Sequence, residues 1–145
     1  MLLTDVVNRE TLPVLEKALA YTEARHRMLA ENIANVDTPG YRTKHLDTRG
    51  FQDALQEALA RRKEDPSGAF RLAGAKEFTQ DRYGHLAVTP SEEPPENVLF
   101  HDGTNARLER QMAMLAENGM MHQVLVELMK GRFTALQKAI RGTVG

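Results

Sequence analysis

The chain has 145 residues, a formal charge of −1, 41% hydrophobic and 27% charged residues, and no cysteine. That is the length of one ordinary domain and the composition of a soluble one. Near-zero charge gives no pull toward nucleic acid or an anionic membrane, and the missing thiols exclude a disulfide framework and a thiolate metal site.

In chain order, the N-terminal stretch MLLTDVVNRETLPVLEKAL is no secretory signal: it lacks a basic leader, and Asp5, Arg9 and Glu10 interrupt its apolar residues. No run approaches the ~18 apolar residues of a membrane span. Helical periodicity extends from about Leu12 to Asn35, with Pro13 accommodated in the first turn. One stripe holds Leu15, Leu19, Thr22, His26, Leu29 and Ile33, and a second beside it holds Val14, Ala18, Tyr21, Arg25, Met28 and Asn32. Together they cover about half the circumference, more than the roughly 100° that faces a single core.

This helix stops within Asn32-Ile33-Ala34-Asn35-Val36-Asp37-Thr38-Pro39-Gly40-Tyr41. Pro39 presets φ for the second position of a turn, Gly40 readily takes the positive φ of a type II turn, and Thr38 is pushed out of the helical region by the proline that follows it. Residues 42–46 form a short extended exit. A shorter helix follows from about Thr48 to Arg62, capped by Asp47 or Thr48, with Phe51, Leu55, Ala58 and Leu59 on one face. Residues 63–104 have no helical period and are punctuated by Pro and Gly. Short strands are expected at His85–Thr89 and Asn97–Phe100, and Ser91-Glu92-Glu93-Pro94-Pro95-Glu96 reads as an extended, solvated linker.

From Asp102-Gly103-Thr104-Asn105 the helical period returns and holds to about Arg141. Leu108, Met112, Leu115, Gly119, His122, Val126, Met129, Phe133, Leu136 and Ile140 make the expected seam, widened by Met114, Met121, Leu125 and Leu128. At ~1.5 Å per residue such a helix spans on the order of 50 Å. The period stays in phase across Gly119 and Gly131, which favours one continuous helix over a stop at Asn118-Gly119. Glycines on a packed face would also let another backbone approach.

The expected fold is therefore mainly α. Long N- and C-terminal helices pair as an antiparallel, coiled-coil-like hairpin, accompanied by a short helix and an irregular middle segment with little β. The divisions fall at 1–46 (first helix and turn), 47–104 (short helix and middle segment) and 105–145 (last helix). Each long helix carries more apolar surface than one seam buries, and exposed apolar patches mark interaction sites. Burying roughly 400 Å² of such surface contributes on the order of 10 kcal/mol before association costs, which favours side-by-side assembly of copies into a ring or helical array.

The block Asn32-Ile33-Ala34-Asn35 followed by Thr38-Pro39-Gly40-Tyr41 resembles the N-terminal signature of the flagellar rod and hook axial proteins. The short length and the run LERQMAMLAENGMMHQVLVELMKGRFTALQKAIRG look most like the proximal-rod members of that family. The likeness covers roughly residues 1–60 and 101–145, with Glu31 where serine or asparagine is usual and His122 where tyrosine is frequent. It implies a structural subunit of the proximal rod of the bacterial flagellar basal body, assembling helically through its terminal helices to transmit torque and enclose the export channel. It also implies its partners: copies of itself, other flagellar rod proteins, the ring-to-rod adaptor and membrane ring, and the flagellar type III export apparatus. The implied location is the periplasmic rod, reached without a cleaved signal peptide. The rival reading is a cytosolic helical adaptor or export chaperone.

Signature and subunit-interface residues are accordingly expected at Asn32, Ile33, Asn35, Thr38, Pro39, Gly40 and Tyr41, and at Leu108, Met112, Leu115, Met121, Leu125, Leu128 and Phe133. By residue type alone Asn32 and Asn35 read as helix-end caps; the resemblance adds hydrogen bonding across helices or subunits. Tyr41 either packs beneath the turn or presents its hydroxyl to a neighbour. The histidines, His26, His45, His85, His101 and His122, lack metal-site spacing, and the carboxylates form no acid/base pair. No enzyme activity, cofactor, metal, small-molecule substrate or nucleic-acid partner is expected.

Overall fold

The computed structural model describes residues 2–93 and 102–142. Helix α1 spans Leu2–Ala34, α2 spans Thr48–Glu64 and α3 spans Asp102–Ile140. Four short strands complete the fold: β1 (Lys44–His45), β2 (Phe78–Gln80), β3 (Leu86–Val88) and β4 (Ser91–Glu92). β2 and β3 pair antiparallel with Thr79 opposite Ala87, and β1 pairs antiparallel with β4, Lys44 opposite Glu92.

α1 is the hub, packing along α3 and also meeting α2, β1 and β3. The α1–α3 pairing is antiparallel: Thr22 meets Asn118 and His122, whereas Asn32, further along α1, meets Gln111, earlier on α3. α3 runs unbroken through Gly119 and Gly131. A Cβ built on either glycine would meet nothing within 4 Å. The close backbone approach expected there is therefore not used within the chain.

The second stripe of α1 builds the main core. Tyr21, Phe51, Ala54, Ala58, Phe70, Leu72 and Phe78 form one buried cluster, flanked by Val14, Leu46, Leu55, Leu86 and Val88. Tyr21 stacks on Phe51 with centroids 3.9 Å apart and planes 6° from parallel, and Phe78 meets the edge of Phe51 at 5.5 Å and 87°. Phe51 is thus clamped between α1 and the β2–β3 hairpin. α2 is fixed at its start by Asp47, whose side chain accepts from the Gly50 amide at 2.9 Å. A Cβ at residue 50 would collide with that carboxylate, so glycine keeps the cap open.

Several expectations change. α1 begins at Leu2 rather than near Leu12, placing Pro13 inside the helix, where its nitrogen has no proton to donate to the Arg9 carbonyl. The segment after α2 is more ordered than its sequence suggests. β2 was not foreseen, and Ser91-Glu92 pairs with β1 instead of forming a solvated linker. Side chains do the work of periodicity here: Gln80 accepts from the Leu72 amide and donates to the Phe70 and Gly84 carbonyls. The Asp81 carboxylate accepts from the Tyr83 and His85 amides to close the hairpin, with Gly84 at φ +88°. Those bonds, the His85 amide first, hold the Asp81 carboxyl below its ordinary value. The expected strand at Asn97–Phe100 lies outside the described residues.

Truncating Phe51 to alanine should cost about 3–5 kcal/mol, because it removes the ring that both Tyr21 and Phe78 pack against. Denaturant unfolding followed by circular dichroism measures this; a loss below about 1 kcal/mol would mean that the cluster is not the core.

Candidate functional site: the turn at the end of the helix hairpin

The Thr38–Tyr41 turn forms as its residues dictate. The Tyr41 amide donates to the Thr38 carbonyl at 3.2 Å, Pro39 occupies the second position, and Gly40 follows at φ +78°. Asn35 prepares the turn by donating from Nδ2 to the Glu31 carbonyl at 2.9 Å and accepting from the Thr38 hydroxyl at 3.2 Å. Its backbone carbonyl takes the Thr38 amide. Asn35 therefore acts locally, as a helix-end asparagine should.

Asn32 does something else. It is 3% exposed, and its side-chain amide fills all four of its hydrogen-bonding positions. Nδ2 donates to the Lys44 carbonyl at 2.8 Å and to Gln111 Oε1 at 3.2 Å. Oδ1 accepts from the Lys44 amide and from the Tyr41 hydroxyl, both at 2.9 Å. The side chain pairs with the Lys44 backbone much as a neighbouring strand would, while also tying the turn to α3. It is a junction between three elements and not a cap. Tyr41, half-buried, points its hydroxyl inward to Asn32 rather than outward. Burial, followed by the Glu31 charge, raises the Tyr41 phenol above its ordinary value of 10.0.

Glu31 finds its role beside this junction, 2.6 Å from Lys44 Nζ, and that hydrogen bond raises the Lys44 ammonium above its ordinary value. Beneath the turn lies a cleft of about 420 Å³, whose walls include Arg25, Met28, Arg110 and Met114.

Most of the expected α3 seam positions are half-buried, among them Leu108, Leu115, Gly119, His122, Val126, Met129 and Leu136, and the buried face extends from them to Gln111 and Asn118. Asn118 is the most buried residue of α3, 1% exposed, and His122 meets Thr22 across the seam. Leu108, Leu115 and Leu125 lie half-buried on this side. Met112, Met121, Leu128 and Phe133 are more than half exposed. Gln111 and Asn118, on the Leu125 side of that seam, bond to Asn32 and Thr22 of α1. His26, expected on the α1 seam, is exposed. In the turn, Ile33 is half-buried, and Thr38, Pro39 and Gly40 are exposed. Sequence reasoning passed over Gln111, Thr22 and Asn118 as site residues. The signal available was Gln111 and Asn118 standing one heptad apart, two amides in an otherwise apolar pattern.

No cluster of three or more His, Cys, Asp or Glu that could hold a metal occurs among the described residues, and no helix there is long and apolar enough to cross a membrane.

This geometry can be set beside known proteins. A family model described as flagella basal body rod protein matches residues 12–42, the part of α1 that carries both stripes together with the turn. The flagellar basal body rod protein FlgB of Bacillus subtilis is 28% identical over 132 residues, covering 91% of this chain and 94% of the relative. FlgB of Salmonella typhimurium is 29% identical over 127 residues, covering 84% and 89%. The chain is similar to flagellar basal body rod proteins of the FlgB type. FlgB of Cereibacter sphaeroides, 28% identical over 134 residues with 92% and 96% covered, extends the same likeness. The likeness to these rod proteins thus takes in the middle segment, where the residues alone suggested little.

Two substitutions separate the roles within the junction. Asn32→Ala should destabilise the protein by roughly 2–4 kcal/mol, since it leaves the Lys44 backbone and the Tyr41 hydroxyl short of partners, whereas Tyr41→Phe should cost about 1 kcal/mol. Equal losses in denaturant titrations would show that Asn32 is no junction.

Alkaline pH gives a further check. The raised Tyr41 and Lys44 values mean the folded state holds these protons more tightly than the unfolded chain. Their stabilisation is therefore complete below about pH 10 and is lost as pH rises through the folded values. Tyr41→Phe should remove the tyrosine part of that alkaline loss. An unchanged stability–pH curve between pH ~9 and ~11.5 would contradict it.

Proposed function

We propose that this protein is a structural subunit of the rod of the bacterial flagellar basal body, built into the rod through its helix hairpin. The observation that carries this reading is the likeness to FlgB proteins over about nine-tenths of both chains. The exposed apolar face of α3 supports it. Met120, Val124 and Leu128 line a shallow groove of about 530 Å³ on the side of α3 turned from α1, and Met112, Met121 and Phe133 are also exposed. Surface of this kind suits packing against neighbouring subunits, and methionine tolerates neighbours of differing shape.

The finer reading is a place in the proximal rod, in the periplasm, with subunits arranged helically around an export channel and carrying torque. Its partners there are further copies, other rod proteins, the ring-to-rod adaptor and membrane ring, and the type III export apparatus that delivers the chain without a cleaved signal. The signature residues from Asn32 to Tyr41 would act chiefly by holding the hairpin end rigid. Of the α3 residues, Met112, Met121, Leu128 and Phe133 would meet neighbours, and Leu108, Leu115 and Leu125 would support them from the intramolecular side. The work is mechanical; the protein is not an enzyme. A cytosolic adaptor or chaperone is the less favoured alternative.

Quantitative immunoblotting should find the chain enriched stoichiometrically in washed hook–basal bodies. Confinement to the cytosol would overturn the rod assignment in favour of an adaptor. Leu128→Glu should leave the purified monomer as helical as the parent while abolishing its incorporation; normal incorporation would remove the α3 face from the interface. Leu125→Glu is a poorer probe, because Leu125 lies half-buried against the intramolecular seam.

A further inference from the structure

The α1–α3 seam contains a buried polar cluster whose presence packing does not explain. Asn118 Nδ2 donates to the Thr22 carbonyl at 2.9 Å. The Thr22 hydroxyl donates to the Leu19 carbonyl at 3.0 Å and lies 2.8 Å from His122 Nδ1. Thr22 shares its stripe with Leu15 and Leu29, both buried. Asn118 Oδ1 is buried and has no hydrogen-bond partner.

A buried amide with one oxygen unmatched is a poor way to stabilise a helix pair. The desolvation of that oxygen offsets much of what Nδ2 gains, and a leucine in the same place would serve the hydrophobic seam better. What apolar packing does poorly here is choose an axial position. Leu108, Leu115, His122, Met129 and Leu136 recur at heptad spacing along the seam side of α3, so sliding α3 by one heptad sets most of them on equivalent apolar positions. Half-buried Met114 and Met129 would adapt to the change. The polar groups would not. A slip one way sets Leu125 against Thr22, and a slip the other way sets Gln111 there. Either slip takes Gln111 away from Asn32.

We propose that Thr22, Asn118 and His122 form a register lock that fixes the axial offset of α3 against α1 without itself adding to the stability of the hairpin, beside the stabilising rung Asn32–Gln111. The two rungs lie ten residues apart on α1, and on α3 seven residues apart from Asn118 or eleven from His122, which agrees with one antiparallel register and no other heptad. Fixing the offset determines which α3 side chains stand beside the turn and how far each helix end projects. In any stack of copies that offset would be repeated at every subunit.

The absence of cysteine lets the register be measured directly in the full-length chain. Ala30→Cys and Thr134→Cys place one spin label on the exposed surface of each helix, well apart along the axis, so pulsed EPR reads the offset as a distance. The parent should give a single distance. The double variant Thr22→Val with Asn118→Leu should keep its helicity, unfold at the same or a higher temperature, and acquire a second population displaced by up to ~10 Å, one heptad of rise. A double variant that keeps the single parental distance would overturn the lock. So would a clear fall in its melting temperature, because the cluster would then be an ordinary stabilising contact. A parent chain without one defined distance would overturn it as well. None of these outcomes depends on whether the protein enters a rod.

Discussion

The rest of the structure depends on one side chain being able to satisfy, and be satisfied by, three separate pieces of chain. Asn32 sits on the last full turn of α1, where the helix is about to be abandoned, and a helix end is where backbone groups lose their partners. By bonding both the amide and the carbonyl of Lys44, Asn32 turns the departing chain back alongside the helix it has just left. With Tyr41 and Gln111 also engaged, its amide has no capacity left over. An isosteric aspartate would lose both donors, and a leucine would fill the volume while orphaning several buried groups. Few residue types other than asparagine combine two donors and two acceptors on so short a stem.

That constraint explains how α1 can serve two masters. Its Leu15–Thr22–Leu29 stripe faces α3, and its Val14–Tyr21 side faces α2 and the β2–β3 hairpin, so the helix is buried on adjoining faces along its middle. The return of the chain at Tyr41–Lys44 sets Asp47 and the start of α2 at the height where Phe51 meets Tyr21. Glu77 reinforces the placement, its carboxylate accepting from the Asp47 amide at 2.6 Å. The apolar core and the polar junction are therefore consecutive stages of one path.

Legibility in the sequence followed the local strength of each constraint. The Pro39-Gly40 turn and the Asp47 cap were readable because each depends on residues within a few positions of one another. The continuity of α3 was readable from an unbroken period. Its seam was readable only in part, because its polar centre is set by Thr22, 100 residues from His122, and by Asn32, 79 residues from Gln111. The β2–β3 hairpin escaped notice because three-residue strands carry almost no alternation, and Gln80 and Asp81 hold it by side-chain bonds that leave no periodic trace. Asn32 looked like a cap because its nearest partner in sequence comes into reach only once the turn has formed.

The bonds of Asn32 to the returning chain and those of Thr22 to α3 also differ in when they can exist. Asn32 bonds Lys44 across 12 residues, whereas Thr22 reaches Asn118 across 96 and His122 across 100. Short closures are fast and long ones slow, since the entropy of the intervening chain must be surrendered first. A polypeptide emerging N-terminus first from synthesis can complete the turn, α2 and the aromatic clamp while α3 has yet to arrive. Until then the Thr22 face of α1 stands uncovered, so the last helix acts as the closing member of a unit whose other parts have already settled.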